Sequence, residues 1–471
     1  EAPPRAVRVG EKVDVTAEAT YYAGGPLADA PVSWRVTSSE TQYTPPNRGD
    51  FRFGRFVPWW RGFGTIATTT TEKSLSARTD ASGKHALSLE LVAADPPLPS
   101  SVVAEASVSD VNRQAWSSRA TLLVHPSDLY VGLKSDRYFV DKGKPIEVDV
   151  IVVDHDGGAV IGRAAEVTVT RVDARYENGT YVETEEDPRR CAIESRAEAV
   201  RCRFETKVGG MHKVRAIVRD DRGRPNLTEI TVWVSGAPLP PAQNVEHEKV
   251  TLIPDRDRYA PGEKAKLLVQ APFFPAEGLL TTRRGGIVST ERFALEGPTT
   301  TLEIPIEEGH VPNLVVQVDL VGSVPRVGDD GRPLPGDLRR PAYAVGTLDL
   351  PVPPETRKLT VTASPERPKL APGEESALTI EVRDADGRPV RGAEVAVIVV
   401  DEAVLALSSA ETPDPLAVFY PPRHAGTSDH YGRAMVLLAL EPTLGRLESK
   451  TMGSGRGASL GAARMEMAAA P

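Results

Sequence analysis

Gly10-Glu11-Lys12-Val13-Asp14-Val15 opens a phrase that returns as Gly143-Lys144-Pro145-Ile146-Glu147-Val148, Gly262-Glu263-Lys264-Ala265-Lys266-Leu267 and Gly373-Glu374-Glu375-Ser376-Ala377-Leu378. Each copy is a turn glycine beside charged residues, followed by the start of an alternating segment, the period of a strand with one buried face. Successive glycines stand 133, 119 and 111 residues apart, which is the spacing of domains and not of solenoid repeats. The second and third copies follow the same Asp-Arg-Tyr at 136–138 and 257–259, and the third and fourth share Ala-Pro-Gly-Glu at 260–263 and 371–374.

Strand signals continue inside each unit. In the first they fall at 13–21, 31–36 and 84–92, the last after the turn Asp80-Ala81-Ser82-Gly83; in the second at 146–150, 166–169, 213–219 and 228–234. No segment keeps a helical period. Strands at this spacing, joined by Asp-Gly turns, predict an all-β tandem array of antiparallel β-sandwiches of roughly 100 residues each. The expected domains are 1–126, 127–240, 241–354 and an incomplete 355–442, with a tail at 443–471. Proline-rich joints at 234–241 and 350–354 serve as semi-rigid linkers.

Composition narrows the function. With 56 basic against 65 acidic residues, a net charge of −9, there is no basic excess for nucleic acid. No apolar run approaches the roughly 18 residues of a spanning helix. The opening Glu1-Ala2-Pro3-Pro4 is no signal peptide, which fits a removed leader or an interior piece of a longer chain. The two cysteines, Cys191 and Cys202, lie in RRCAIESRAEAVRCRFE, which reads as a hairpin placing the thiols on neighbouring strands. A disulfide is expected, with two free buried thiols as the alternative, and the bond would indicate an oxidising compartment such as the periplasm or the extracellular space.

Two insertions break the regularity. Residues 40–71 hold Phe51, Phe53, Phe56, Trp59 and Trp60, rings expected to pack on their own sandwich or a neighbour's. Residues 324–341 form a polar, turn-rich loop. Catalytic patterns are missing: no Gly-x-Ser-x-Gly, His-Glu-x-x-His, phosphate loop or dinucleotide fingerprint occurs. His424 and His430 read as surface residues, and the pairs Glu307-Glu308 and Asp329-Asp330 as solvated turns. The triplets at Asn178 and Asn226 match the glycosylation pattern, a weak signal. Neither enzymatic activity nor a cofactor is expected.

The fourth unit carries the most specific text. Val399-Val400-Asp401-Glu402-Ala403-Val404-Leu405-Ala406-Leu407 is followed by Pro413-Asp414-Pro415-Leu416-Ala417-Val418-Phe419-Tyr420, and this pairing resembles the bacterial α2-macroglobulins, in the macroglobulin-like domain that hosts the bait region. Tyr21-Tyr22-Ala23-Gly24-Gly25-Pro26, Val32-Ser33-Trp34-Arg35-Val36 and Asp257-Arg258-Tyr259-Ala260-Pro261-Gly262-Glu263 are similar to phrases of earlier domains in that family. The resemblance implies a broad-spectrum endopeptidase inhibitor in which cleavage of an exposed bait triggers collapse around the protease. It implies endopeptidases of several classes as partners, together with the C-terminal remainder of the same protein. It places the chain in the periplasm or outside the cell, with an upstream lipidated segment as one route to a membrane. The family's Cys-x-Glu-Gln thioester motif does not occur in this sequence.

The tail at 443–471 is rich in glycine and alanine and interleaves cleavable residues, of which Arg446, Leu447, Lys450, Met452, Arg456, Leu460, Arg464 and Met465 are the candidate cleavage positions. Strands near 359–363, 377–383, 394–407 and 435–440 are too few for a seven-stranded sandwich, so the missing ones are expected beyond the bait. The alternative is a cell-surface or adhesive array of Ig-like domains whose tail is merely loose.

Overall fold

A computed structural model describes residues 6–22, 24–56, 58, 70–177, 180–237, 249–326, 336, 339–367, 373–400 and 414–429. Residues through Thr427 belong to one compact unit; of the second, Ser428–Pro471, only Ser428 and Asp429 are described.

The first sandwich contains β1 (Val7–Arg8), β2 (Lys12–Glu18), β3 (Pro31–Glu40), β4 (Thr70–Arg78), β5 (Lys84–Glu90), β6 (Ser100–Ser109) and β7 (Ala115–His125). One sheet runs β1-β7-β6-β3-β4 and faces the pair β2-β5. Alternation decides what is buried: Val13 and Val15 of β2 and Val32 and Trp34 of β3 point inward while their neighbours face out. Trp34 is fully buried and its indole Nε1 donates to His85 Nδ1 at 3.0 Å, so the ring brings no unsatisfied donor into the core.

The second sandwich follows with β8 (Leu129–Lys134), β9 (Phe139–Val140), β10 (Ile146–Asp154), β11 (Ala164–Glu177), β12 (Thr180–Glu194), β13 (Val200–Phe204), β14 (Gly210–Arg219) and β15 (Pro225–Val234). Its sheets are β13-β10-β8 and β12-β11-β14-β15-β9. The third contains β16 (Thr251–Pro254), β17 (Lys264–Gln270), β18 (Ala276–Arg283), β19 (Ile287–Leu295), β20 (Thr299–Pro305), β21 (Asn313–Pro325) and β22 (Arg339–Pro351), ordered β16-β17-β20 and β19-β18-β21-β22. In the fourth unit the described strands are β23 (Thr360–Pro365) and β24 (Leu378–Arg383), an antiparallel pair.

The cysteines bond, but not within a hairpin. Cys191 lies on β12 and Cys202 on β13, strands of opposite sheets, with their Cα atoms 6.2 Å apart. The polar stretch between them is the turn that carries the chain from one sheet to the other, so the bond crosses the core. It closes a short loop, and serine at both positions is expected to cost about 2–4 kcal/mol. Denaturant unfolding would show this as a lower midpoint; an unchanged midpoint would refute it.

The aromatic insertion packs on the neighbouring sandwich. Phe51 and Phe53 are buried with Tyr130, Ile151 and Val153 of the second unit. The Tyr43 hydroxyl donates to the His155 carbonyl at 2.5 Å, and Arg48 Nε to the Gly157 carbonyl at 2.9 Å. Phe56 stacks on Tyr138 with ring centres 5.7 Å apart, and the Arg52 guanidinium lies 4.6 Å from the Phe56 centroid. Arg52 and Tyr138 both bond the carboxylate of Asp257 from the third unit, so three sandwiches meet at one side chain. Trp59 and Trp60 lie outside the described residues.

A histidine sits at this first interface. His125 Nδ1 is 2.6 Å from the Tyr130 hydroxyl, and its ring is 4.9 Å from Tyr43 and 5.8 Å from His155. Burial, then the neighbouring His155 and Arg8, hold its pKa down at about 4, against the opposing pull of Asp128 and Asp156. A folded-state value below the unfolded one, about 6.5, gives stability that is present above pH 6.5 and lost as pH falls through 4. The thermal midpoint is therefore expected to fall across that window, and His125→Gln to flatten the fall. An equally steep profile in the variant would count against the assignment.

Candidate functional site

The region resembling a bait host is built from the third sandwich, the β23–β24 pair and the segment that follows. The turn after β24 is held by Asp384, whose Oδ1 accepts from the backbone N–H of Asp386 at 3.0 Å and of Arg388 at 2.8 Å. The same aspartate geometry recurs at Asp80, Asp110, Asp154 and Asp220. A short polar side chain thus replaces missing ladder bonds in each turn.

The strand expected over 394–407 is corrected over its described part: residues 394–400 are in no strand. No described strand pairs with them, and Ile398 and Val399 are 82% and 91% exposed. An alternating or apolar run becomes a strand only where an edge accepts its backbone and a facing layer covers its side chains. Residues 401–413, 430–471 and the expected strand at 435–440 lie outside the described residues. So do all eight candidate cleavage positions, Arg446, Leu447, Lys450, Met452, Arg456, Leu460, Arg464 and Met465.

Between these stretches, residues 414–426 form a strap on the third sandwich. Asp414 caps the short helix α1 (Pro415–Phe419) by accepting from Leu416 N at 3.0 Å, with Pro415 at the first helical position. Tyr420 packs against the third core, and the Arg357 guanidinium sits 5.3 Å from its ring centre. Asn313, at the head of β21 and buried, reads both backbone groups of Arg423: its Oδ1 accepts from the N–H at 2.7 Å and its Nδ2 donates to the carbonyl at 3.0 Å. Nδ2 also donates to Asp349, whose carboxyl burial pushes above the usual range while that bond opposes the shift. Gly285 and Gly286, in the β18–β19 turn, donate to the carbonyls of His424 and Ala425 at 2.9 Å each.

Backbone shape completes the fit. Gly426 has φ +69°, and a Cβ there would lie 2.5 Å from the Gly285 carbonyl carbon, closer than a side chain tolerates. Apart from Arg357 on the Tyr420 ring, the guanidiniums near the strap do not favour its docking. Burial lowers the Arg284 pKa, and Arg423 and Arg357 beside it add to the shift, so these guanidiniums repel one another.

The sequence reading missed α1, Asn313 and the glycine contacts. Asp414-Pro415 is a legible cap signal, but an asparagine reading a backbone 110 residues away leaves no local trace. His424 takes part through its carbonyl, and His430 lies outside the described residues. Asn226 is buried with Oδ1 accepting from Val131 N at 3.0 Å, so its triplet is closed to glycosylation in the folded protein. Asn178 lies outside the described residues. Among the described residues no cluster of three or more His, Cys, Asp or Glu could hold a metal, and no helix is long and apolar enough to cross a membrane.

A family model described as the alpha-2-macroglobulin bait region domain matches residues 250–407, which run from the head of the third sandwich through β23 and β24. The chain is of the alpha-2-macroglobulin type. An alpha-2-macroglobulin homolog of Nostoc is 24% identical over 469 residues, covering 97% of this chain and 24% of its own length. The alpha-2-macroglobulin of Escherichia coli is 30% identical over 203 residues, covering 41% of this chain and 11% of its own. A Dictyostelium discoideum protein named circularly permutated Ras protein 2 is 23% identical over 90% of this chain and 12% of its own. The alpha-2-macroglobulin-type chain thus spans about a quarter or less of these relatives' lengths. The native conformation of E. coli alpha-2-macroglobulin shares 17% identity at a TM-score of 0.38, over 90% of this chain and 27% of that one.

Proposed function

We propose that this chain is the bait-bearing part of an endopeptidase inhibitor, in which cleavage within 443–471 releases the surrounding domains to close on the protease. The observation that carries this reading is the order along the chain. The bait region domain match ends at Leu407, and the sequence then runs into a glycine- and alanine-rich segment offering basic, large apolar, acidic and small residues. A target for endopeptidases of several classes needs that mixture, because each class grips a different side chain. The exposed row from Val395 to Val400 supports the view that further strands complete the fourth sandwich. The disulfide supports a periplasmic or extracellular location.

Limited digestion with trypsin, an elastase-like enzyme and a subtilisin-like enzyme tests the proposal. All three are expected to cut first within 443–471, and small-angle scattering of the cut protein to show a smaller radius. First cuts in the 324–341 loop without a change of shape would reject it, and would favour an adhesive array with a loose tail.

A further inference from the structure

The phrase Asp-Arg-Tyr stands at 136–138 and at 257–259, and contacts within the fold account for part of it. Tyr138 bonds Asp257, and Tyr259 is buried with its hydroxyl donating to Asp255 at 2.8 Å. The two arginines are left over. Arg137 and Arg258 are exposed, and among the described residues neither side chain makes an ion pair or a hydrogen bond.

Both line one groove of about 360 Å3 where the three sandwiches meet. The aromatic insertion supplies Arg52 to it, the second sandwich Lys134 and Arg137, and the third Arg256 and Arg258. Against these five cations the lining sets three acids, Asp50, Asp136 and Asp257, which leaves two positive charges in excess. Three of the cations are answered: Arg52 by Asp257, Lys134 by Asp50 at 3.4 Å, and Arg256 by Glu263 at 3.0 Å from outside the lining. Even with Glu263 counted, the groove stays positive. Arg52 also keeps donors to spare, because it meets Tyr138 and Asp257 through Nη2 alone and a guanidinium carries five N–H groups.

Guanidinium forks match the paired oxygens of carboxylates and phosphates, and such charge-assisted bonds are strong. Low-dielectric walls focus the field of like charges lining a cleft, and grooves at domain interfaces are usual places for small ligands. We infer that this groove binds a small polyvalent oxyanion, a phosphate or polycarboxylate compound whose oxygens are held by Arg137 and Arg258. Because the lining comes from all three sandwiches, the bound anion ties them together. This is independent of any role for residues 443–471.

Titration calorimetry of the full chain at fixed ionic strength tests it, with pyrophosphate and citrate as the probes. At least one is expected to bind with a Kd of about 1 mM or tighter, and to slow hydrogen exchange at the amides of 134–138 and 256–259. The tighter probe assigns the class of oxyanion. Arg137→Gln and Arg258→Gln are each expected to weaken that binding about tenfold or more. Arg292→Gln removes the same charge from an exposed position on β19 outside the lining, and is expected to bind as the parent does. No binding of either probe would overturn the proposal, as would parental affinity in both groove variants. Equal weakening in all three variants would overturn it too, since that is a general effect of charge, and so would slowed exchange confined to other segments.

Discussion

Gly426→Val is expected to lift the strap off the third sandwich. The valine needs an unfavourable backbone angle and space held by the Gly285 backbone, and no rotamer changes either requirement. Release removes the acceptors of Gly285 and Gly286 and frees Arg423 from Asn313. Exchange at those three amides should accelerate at least tenfold, and trypsin should gain a site at Arg423. Asn313→Ala should act in the same direction through an independent loss, leaving Asp349 without its donor and Arg423 unread. If exchange and digestion stay as in the parent for both variants, the strap is not held by these contacts.

Phe53→Ala is expected to loosen the first sandwich from the second. The ring is buried at the interface and lies against Gly132, where an added Cβ would come within 2.7 Å of it. Truncating a phenylalanine in such a packed site costs about 3 to 5 kcal/mol. Here much of that loss falls on the contact between domains, so calorimetry should resolve the first sandwich as an earlier transition. Gly132→Val attacks the same contact from the other side and should split the transition likewise. A single, unshifted transition in both variants would show that the insertion does not couple the two units.

Much of the fold was legible because it depends on local signals. The turns at Asp80, Asp154 and Asp384 were readable since one side chain, two and four residues from its donors, makes each of them. Alternation located β2, β3 and β10, whose inward residues are those now buried. What was not legible depends on distance in the chain. A sequence shows that Cys191 and Cys202 are near one another but not that the intervening turn changes sheets, so the hairpin reading put the bond on the wrong geometry. The strand expected at 394–407 failed over its described part because apolar content cannot supply a partner edge. The docking of 414–426 depends on Asn313, Gly285 and Gly286, residues with no pattern of their own.

The repeated Asp-Arg-Tyr gains a meaning from the three-way junction. Tyr138, from one copy of the phrase, bonds Asp257, from the next, so the same short text supplies the tyrosine on one side of a joint and the aspartate on the other. The phrase occurs in the second and third units and in neither of the others, so a first or fourth sandwich set behind the second would bring no such aspartate to Tyr138, and this joint has a neighbour specified in its text.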